Sequence, residues 1–215
     1  MQSLKNLLNT QNGQKNCPVN EMKEICYICG VKEVYDNGMC EYCLIDKRRE
    51  MRANILSKSL LEKIAINYQN SIELYPNLKL ESIFYYGNAG TGKTSRAFAQ
   101  IQNNIKRIKS FEYIKVNKLL MLLNPRNEGN ILETEAKFEN VQVLILDDLS
   151  IQNFTEASIR YLFMILDYRL ENAKTTIITS LLTPKELALK LPEEVMSRLN
   201  ELCKFKQIEG RDFRW

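Results

Sequence analysis

Short apolar runs alternate with longer segments of helical periodicity from Leu80 onward. Five runs have the length and the β-branched or aromatic content of strands: residues 82–86, 113–116, 141–146, 176–179 and 203–208. Five segments show the apolar spacing of helices: residues 93–106, 117–123, 156–172, 184–189 and 193–199. Because strands that alternate with helices form right-handed βαβ units, this pattern predicts an α/β fold with a parallel five-stranded sheet and helices on both faces.

The segment before Leu80 has a different pattern. Residues 1–20 are polar, and residues 24–46 contain four closely spaced cysteines. From residue 47 to about residue 68 an amphipathic linker helix is predicted by apolar residues near helical spacing: Met51, Ile55, Leu56, Leu60, Ile64 and Ala65. We therefore expect a small N-terminal module with the start of the linker helix, residues 1–57, and a larger domain, residues 58–215.

The composition is that of a folded globular chain with 45% hydrophobic and 26% charged residues. Its 215 residues suffice for one α/β domain and a small appendage. No apolar run reaches the roughly 18 residues of a membrane span, and the first residues lack the apolar core of a signal peptide. The cytoplasm is therefore the expected compartment.

The sequence contains no histidine, which excludes histidine-based acid/base catalysis and histidine metal ligands. The formal net charge of +4 is weak support for nucleic-acid binding. A local basic run, at Lys47, Arg48, Arg49 and Arg52, either contacts nucleic-acid phosphates or forms the solvated start of the linker helix. The chemistry available to the chain is that of carboxylates, thiolates, lysine and arginine.

A phosphate-binding loop follows the first predicted strand of the larger domain and precedes its first helix. The motif GxxxxGK[ST] is matched without exception by Gly87, Asn88, Ala89, Gly90, Thr91, Gly92, Lys93 and Thr94. Glycines let backbone N–H groups point at phosphate oxygens, and the helix N-terminus adds its positive dipole end. We expect Lys93 to contact the β and γ phosphates of ATP and Thr94 to ligate Mg²⁺.

The apolar strand at residues 141–146 ends in a pair of aspartates, Asp147 and Asp148. After a phosphate-binding loop, this is the position of a carboxylate that holds Mg²⁺ and of a neighbour that polarises the attacking water. We assign Asp147 to the metal and Asp148 to the general base. Without the upstream loop, a tight turn or a helix cap would be the simpler interpretation.

Four cysteines form two CxxC pairs separated by ten residues: Cys26, Cys29, Cys40 and Cys43. Two such turns can present four thiolates to one tetrahedral Zn²⁺, which gives a closed structural site rather than a catalytic one. Buried thiols or a redox pair are the alternatives. Cys17 and Cys203 lie outside this pattern, and we interpret them as an incidental thiol and a core residue of the last strand.

Four segments in order, GNAGTGKT, VLILDDL, TTIITSLLTPKEL and EVMSRLNELCKFKQIEGRDFR, resemble the AAA+ ATPases of the bacterial DnaC/DnaI helicase-loader group and the related IstB transposition ATPases. The resemblance covers about residues 75–215. It implies an AAA+ sheet of five parallel strands. Only 17 residues follow Arg198, too few for the helical lid of many AAA+ proteins, so the resemblance also implies an open site completed by self-association.

The resemblance also implies roles for three further parts of the chain. The strand TTIITS ends at the sensor-1 position, where the expected Asn is Leu181. Thr179 or Ser180 could replace it in contacting the γ-phosphate, or both could simply end a buried strand. Arg198 matches the arginine finger that reaches the γ-phosphate of a neighbouring subunit, with a solvated surface arginine as the alternative.

The sensor-2 arginine is matched best by Arg211, with Arg214 as a second candidate. Aromatic residues in or beside the predicted strands suggest packing rather than base stacking: Tyr85, Tyr86, Phe111 and Tyr113.

The leading functional hypothesis from the resemblance is an ATP-dependent loader of a hexameric replicative DNA helicase. The N-terminal zinc module would bind the helicase, and the assembled AAA+ core would bind single-stranded DNA. A weak ATPase, stimulated by DNA or by the partner, is expected because Leu181 stands at the sensor-1 position.

Two alternatives remain open. One is an IstB-like transposition ATPase that acts on duplex DNA with a transposase. The other is a nucleotide-switched helicase adaptor or inhibitor with negligible turnover, for which Leu181 is the sequence argument.

Overall fold

A computed structural model describes residues 40–124, 131–150, 155–210 and 212 of the chain. The chain divides into two compact units, residues 1–55 and residues 56–215. Within the described residues, no helix is long and apolar enough to cross a membrane.

The larger unit is built on a sheet of five parallel strands in the order β2-β3-β4-β1-β5. The strands are β1 Ile83–Tyr86, β2 Phe111–Lys115, β3 Val143–Asp147, β4 Thr175–Ser180 and β5 Lys204–Gln207. Each lies within three residues of its predicted bounds. This confirms the predicted α/β fold. The strand that follows the phosphate-binding loop's helix, β2, lies at one edge, so β3 and β4 separate it from β1.

The helices are α1 Glu41–Glu62, α2 Ser71–Leu74, α3 Lys93–Asn103, α4 Val116–Leu122, α5 Ile131–Asn140, α6 Glu156–Glu171, α7 Pro184–Ala188 and α8 Glu193–Leu202. Single 3₁₀ turns cover Ile66–Tyr68 and Ile105–Arg107. In the described part of the chain after α8, β5 is the only regular element.

Alternate residues of β3 pack on opposite faces of the sheet, as the twofold period of a strand requires. Leu144 and Leu146 face a core formed largely by α4, α6 and α8. Val143 and Ile145 face a second core, which contains α3 together with Leu60 and Ile64. All five residues of β3 are buried, and a strand covered on both faces is the reason that its sequence is a continuous apolar run.

Two helices of the larger unit were not predicted, and the linker helix differs from its prediction. The short α2 and the charge-rich α5 bury few apolar side chains. The linker helix begins at Glu41 and ends at Glu62, earlier at both ends than expected. The prediction of one amphipathic face is wrong for its middle part, where Met51 and Ile55 are 57% and 66% exposed.

Arg169 is the largest fully buried side chain of the described residues and joins three elements. Its guanidinium donates to the carbonyl oxygens of Phe138 and Val141 at the end of α5, at 2.8 and 2.9 Å. It also donates to Thr176 Oγ1 at 2.8 Å and to Thr175 O at 2.5 Å in β4. Arg169 thereby satisfies carbonyl groups that the end of a helix leaves unpaired. Burial lowers the pKa of Arg169 to about 10.

We predict that Arg169→Met destabilises the protein by roughly 3 kcal/mol, because several buried carbonyl oxygens lose their donor. The methionine keeps most of the aliphatic volume. Arg160→Met, at an exposed position of the same helix, is the matched control and should change the free energy of unfolding by less than about 0.5 kcal/mol. Urea denaturation measures both. Equal effects would show that the buried hydrogen bonds do not determine the stability.

The buried Cys203 thiol predicts a loss of stability in alkaline solution. Burial raises its pKa from 9.0 to about 12 in the folded protein. A pKa raised by folding means that the unfolded chain releases the proton first, so stability is complete below about pH 9 and falls as pH rises towards 12. We expect a fall of about 1 kcal/mol between pH 9 and 10 from this thiol.

The contribution of the Cys203 thiol is isolated by comparing the wild type with Cys203→Ala. The comparison cancels the effect of the buried Arg169, whose lowered pKa makes stability rise with pH in both proteins. The variant should be less stable at pH 8 but should lose less stability between pH 9 and 10. Parallel stability curves for the two proteins, measured by denaturant titration, would contradict the assignment.

Candidate nucleotide-binding site

The phosphate-binding loop joins β1 to α3, at the carboxyl edge of the sheet. Gly92 adopts φ +84° directly before α3, and Gly87 adopts φ +136° directly after β1. A Cβ atom at position 87 would lie 2.4 Å from the Ile208 carbonyl oxygen, a backbone atom that cannot rotate away. Gly87 is therefore required both by the turn and by the close approach of the chain after β5.

Lys93 is the first residue of α3, and its side chain is buried within the loop. Its ammonium group donates to the carbonyl oxygens of Gly87 at 2.9 Å and Asn88 at 2.5 Å. Thr91 Oγ1 also donates to Asn88 O, at 3.0 Å. The loop is thus wrapped around a cation at a helix N-terminus, which is an arrangement suited to a phosphate group.

The Asp147 carboxylate, at the end of β3, accepts three hydroxyl hydrogen bonds from three different elements. Its Oδ1 accepts from Thr94 Oγ1 of α3 and Thr179 Oγ1 of β4, each at 2.7 Å. Its Oδ2 accepts from the Tyr113 hydroxyl of β2 at 2.8 Å. The carboxylate is buried, and these donors hold it beside the phosphate-binding loop.

The donor set fits Mg²⁺. Thr94 gives its proton to Asp147, which leaves the lone pairs of Thr94 Oγ1 available to a cation. Mg²⁺ prefers oxygen ligands, usually one or two carboxylate or hydroxyl groups together with the phosphates of the nucleotide. When bound, the ion would neutralise charge on the phosphate oxygens. Thr94 and Asp147 are the residues that would hold it, directly or through water.

Asp148 follows Asp147 in a left-handed backbone conformation, φ +58°, which aspartate tolerates better than most residues. Its backbone N–H donates to Thr179 Oγ1 at 2.9 Å, and the next N–H, of Leu149, donates to Thr179 O at 2.8 Å. Asp148 is partly exposed. The end of β4 therefore determines the direction in which the chain leaves β3.

The three residues at the predicted sensor-1 position have different surroundings. Thr179 contacts both Asp147 and Asp148. The Ser180 hydroxyl donates to Leu149 O at 2.6 Å and accepts from the Leu182 N–H at 2.9 Å, so its contacts stabilise the turn after the strand. Leu181 is 48% exposed and has no polar group to offer a phosphate.

A cavity of about 790 Å³ opens beside the phosphate-binding loop, within the size range of small-molecule sites. One wall consists of loop and α3 residues from Gly90 to Ser95. The opposite wall comes from the segment before β1: Asn67, Tyr68, Leu74 and Tyr75. Our sequence reasoning did not identify this wall. Tyr68 and Tyr75, shortly before β1, were the sequence features that could have indicated this wall.

The aromatic side chains of this wall are held from α3. The Tyr68 ring stacks on Phe98 with centroids 4.7 Å apart, and the Arg96 guanidinium lies 4.1 Å from the Tyr75 ring centroid. The Tyr75 hydroxyl reaches the loop itself, since a Cβ atom at Gly92 would lie 2.2 Å from it. The wall and the phosphate-binding loop are therefore packed against the same helix.

Side-chain amides at the end of α3 anchor the backbone of the segment before β1. Gln102 accepts from the Ile72 N–H at 2.8 Å and donates to Gln69 O. Asn103 donates to Tyr75 O at 3.0 Å. These bonds pair backbone groups that the short helical turns leave without a partner, and they position Tyr75 at the cavity.

Burial is the main cause that raises the pKa of Tyr113, and the nearby Asp147 carboxylate raises it further. Burial, followed by the nearby Asp147 carboxylate, also raises the pKa of Tyr68. Both phenols are therefore protonated at neutral pH, and Tyr113 can act only as a donor to the carboxylate.

Arg198, on α8, is paired with carboxylates of its own chain. It donates to Asp167 of α6 and, at 3.2 Å, to Glu201, and it lies 5.7 Å from the Phe163 ring centroid. The hydrogen bond with Asp167 raises its pKa. Among the described contacts of Arg198, none is with the phosphate-binding loop or Asp147, so within one chain it is not part of the nucleotide site.

The chain after β5 returns to the phosphate-binding loop. A Cβ atom at Gly90 would lie 1.7 Å from Asp212 Oδ1, so the carboxylate of Asp212 touches this glycine. The predicted sensor-2 candidates, Arg211 and Arg214, lie outside the described residues.

The second cysteine pair lies at the beginning of α1. Cys40 directly precedes the helix, its carbonyl oxygen accepts from the Leu44 N–H at 2.9 Å, and Cys43 lies in the first turn. Both side chains are buried. Cys26 and Cys29 lie outside the described residues, and the described residues alone contain no group of three or more potential metal ligands.

Residues 76–214 match the family of IstB-like ATP binding proteins. The match covers more than half of the chain and agrees with the phosphate-binding loop and the paired aspartates described above. The chain therefore belongs to this family of ATP-binding proteins with the AAA+ fold.

Three solved structures illustrate the similar fold. The chain is similar to DnaI (22% identity, 75% of this chain and 82% of that chain, TM-score 0.53). It is also similar to the DnaC helicase loader, with 23% identity, coverage of 74% of this chain and 89% of that chain, and a TM-score of 0.51. A third similar structure is the replication initiator DnaA bound to AMPPCP and single-stranded DNA, with 24% identity, coverage of 72% of this chain and 50% of that chain, and a TM-score of 0.54. At these identities the likeness shows the fold.

A curated relative, the chromosomal replication initiator protein DnaA of Geotalea daltonii, is 28% identical over 126 residues. The match covers 57% of this chain and only 28% of that protein, so this chain spans less than a third of its relative's length.

Proposed function

We propose that this protein is an ATP-dependent loader of a hexameric replicative DNA helicase. In this proposal residues 1–57 bind the helicase, and the AAA+ core, residues 58–215, binds ATP and single-stranded DNA. The observation that carries the ATP-dependent part is the Thr94–Asp147 hydrogen bond, which joins the phosphate-binding loop to the acidic strand end beside a nucleotide-sized cavity. The similarity of the fold to DnaI and the DnaC helicase loader supports the loading role.

The proposed reaction is attack of water on the γ-phosphate of ATP, which yields ADP and phosphate. Lys93 would hold the β and γ phosphates, Asp147 the Mg²⁺, and Asp148 would accept the proton of the attacking water. Thr179 lies at the end of β4 and contacts both aspartates, whereas Leu181 offers no polar group. We therefore expect slow turnover that DNA or the helicase increases.

Arg198 is proposed to act on the nucleotide of a neighbouring copy. A guanidinium stabilises the charge that develops on the transferred phosphoryl group. In the single chain this cation is already paired with Asp167 and Glu201. Assembly would have to replace these partners by phosphate oxygens, so self-association and ATP binding are expected to support each other.

The N-terminal module is proposed to hold one structural Zn²⁺ through Cys26, Cys29, Cys40 and Cys43. Support comes from the second pair, since Cys40 and Cys43 are buried at the N-terminus of α1. The positive end of a helix dipole stabilises thiolates. A module of this size would derive most of its folding free energy from the metal, and its surface would then be available to the helicase.

Two alternatives make different predictions. An IstB-like transposition ATPase, which the family match favours, would prefer duplex DNA and would form filaments. A helicase adaptor or inhibitor would use ATP binding as a switch and would show no turnover, in keeping with Leu181.

We predict that Asp148→Asn lowers ATP turnover, measured with single-stranded DNA, by about 100-fold or more, because general-base catalysis contributes about 10²–10⁴-fold. ATP binding should be retained, since Lys93 and Asp147 are unchanged. Asp148→Glu keeps a carboxylate and should retain part of the activity. If Asp148→Asn has the same ATP turnover as the wild type, Asp148 is not the general base. Negligible ATP turnover by the wild type itself would favour the helicase adaptor or inhibitor.

The loading role is tested by mass measurement of the protein mixed with the replicative helicase of its host, with and without ATP. We predict a defined complex that the double variant Cys40→Ser/Cys43→Ser loses together with one bound zinc per chain. Cys17→Ser, outside the two pairs, is the matched control and should keep both. If the wild type forms no complex with the helicase, the loader proposal is wrong, and the transposition-type ATPase takes its place.

A further inference from the structure

A tyrosine of the neighbouring strand holds the acidic side chain at the end of β3. Tyr113 lies on β2, two residues before Lys115, which is the register partner of Asp147. Residues two apart on a strand share a face, and a long side chain can reach such a diagonal neighbour. The Tyr113 hydroxyl accordingly donates to Asp147 Oδ2 at 2.8 Å.

The two oxygens of this carboxylate are bound from opposite sides. Thr94 and Thr179 occupy Oδ1, while Tyr113 occupies Oδ2. A rotation of the carboxylate about its bond to Cβ would break hydrogen bonds on both sides at once. The orientation of Asp147 towards Thr94 therefore depends on a donor that lies outside the phosphate-binding loop and outside the acidic strand.

The Tyr113 ring is itself fixed by aromatic packing. Its centroid lies 5.1 Å from that of Phe98, and Phe98 stacks on Tyr68 with centroids 4.7 Å apart. Phe98 is buried, and Tyr68 lines the cavity. A phenol held in this way can position its partner, because little rotational freedom remains to be lost.

We propose that Tyr113 is a positioning residue for Mg²⁺: its hydroxyl orients the Asp147 carboxylate so that Asp147 and Thr94 together receive the ion that accompanies the nucleotide. The inference rests on the proposed ATP-dependent function and names a residue that neither the phosphate-binding loop nor the acidic strand contains. Partners that orient the ligands of a metal ion typically affect its affinity by about 10–100-fold.

The chain offers a matched control. Tyr85 is a buried tyrosine of β1 that is 2% exposed, and its hydroxyl accepts from Gln100 Nε2 at 2.9 Å. Tyr85→Phe and Tyr113→Phe each remove one hydroxyl and its hydrogen bond from a strand of the same sheet. Only Tyr113→Phe removes a contact to Asp147. A general effect on folding should therefore be common to both variants.

The experiment titrates Mg²⁺ at fixed AMPPCP, a non-hydrolysable ATP analogue, and measures nucleotide binding by calorimetry, with parallel titrations in EDTA. For Tyr113→Phe we expect the Mg²⁺ concentration at half-maximal effect to rise by about 10-fold, with the affinity in EDTA within twofold of the wild type. Tyr85→Phe should match the wild type in both measurements. The ratio of the AMPPCP affinity with Mg²⁺ to the affinity in EDTA separates weaker Mg²⁺ binding from damage to the nucleotide pocket.

Two results would overturn the inference. One is an unchanged Mg²⁺ midpoint in Tyr113→Phe, and the other is an equal loss of affinity with Mg²⁺ and in EDTA, which would assign Tyr113 a purely structural role. If the wild type itself binds no nucleotide at any Mg²⁺ concentration, the proposed function fails, and the inference fails with it. Normal binding by the wild type with an unchanged midpoint in the variant refutes the inference alone.

Discussion

The hydrogen bond from Thr94 to Asp147 joins the phosphate-binding loop to the acidic strand end, and it depends on a parallel sheet. Only in a parallel sheet do β1, β3 and β4 end at the same edge, so that the loop after β1 meets the carboxylate after β3. The two residues are 53 positions apart in the sequence and 2.7 Å apart in the structure. The burial of both faces of β3 keeps that distance short, because neither face of the strand is free to move.

The wall of the cavity opposite the phosphate-binding loop is organised by a different principle. This wall comes from a 3₁₀ turn, the end of the short α2 and Tyr75, and it is attached to α3 by side-chain amides and ring stacking. The same helix begins with Lys93 and ends near Gln102 and Asn103, so one rigid element positions both the phosphate-binding loop and the opposite wall of the cavity. A change in the position of α3 would therefore alter both halves of the site together.

The sequence predicted the sheet and the phosphate-binding loop well, because both depend on local pattern. It predicted the cavity wall and Tyr113 poorly. Tyr113 was interpreted as packing, and its ring does pack against Phe98, but its hydroxyl also binds Asp147. The exposed middle of α1 was missed for a similar reason: apolar spacing shows that a helix can bury one face, and it does not show whether another element covers that face.

By itself the sequence determined the alternation of strands and helices along the chain from β1 onward, the eight-residue phosphate-binding loop and the acidic strand end. Each of these follows from residue types at short spacing. Only the tertiary structure decided which side chains from distant segments meet at that edge: Tyr113 from β2, Thr179 from β4 and Tyr75 from the segment before β1. Strand order and register place them there. Both arise from the packing of the whole sheet, which no short stretch of sequence contains.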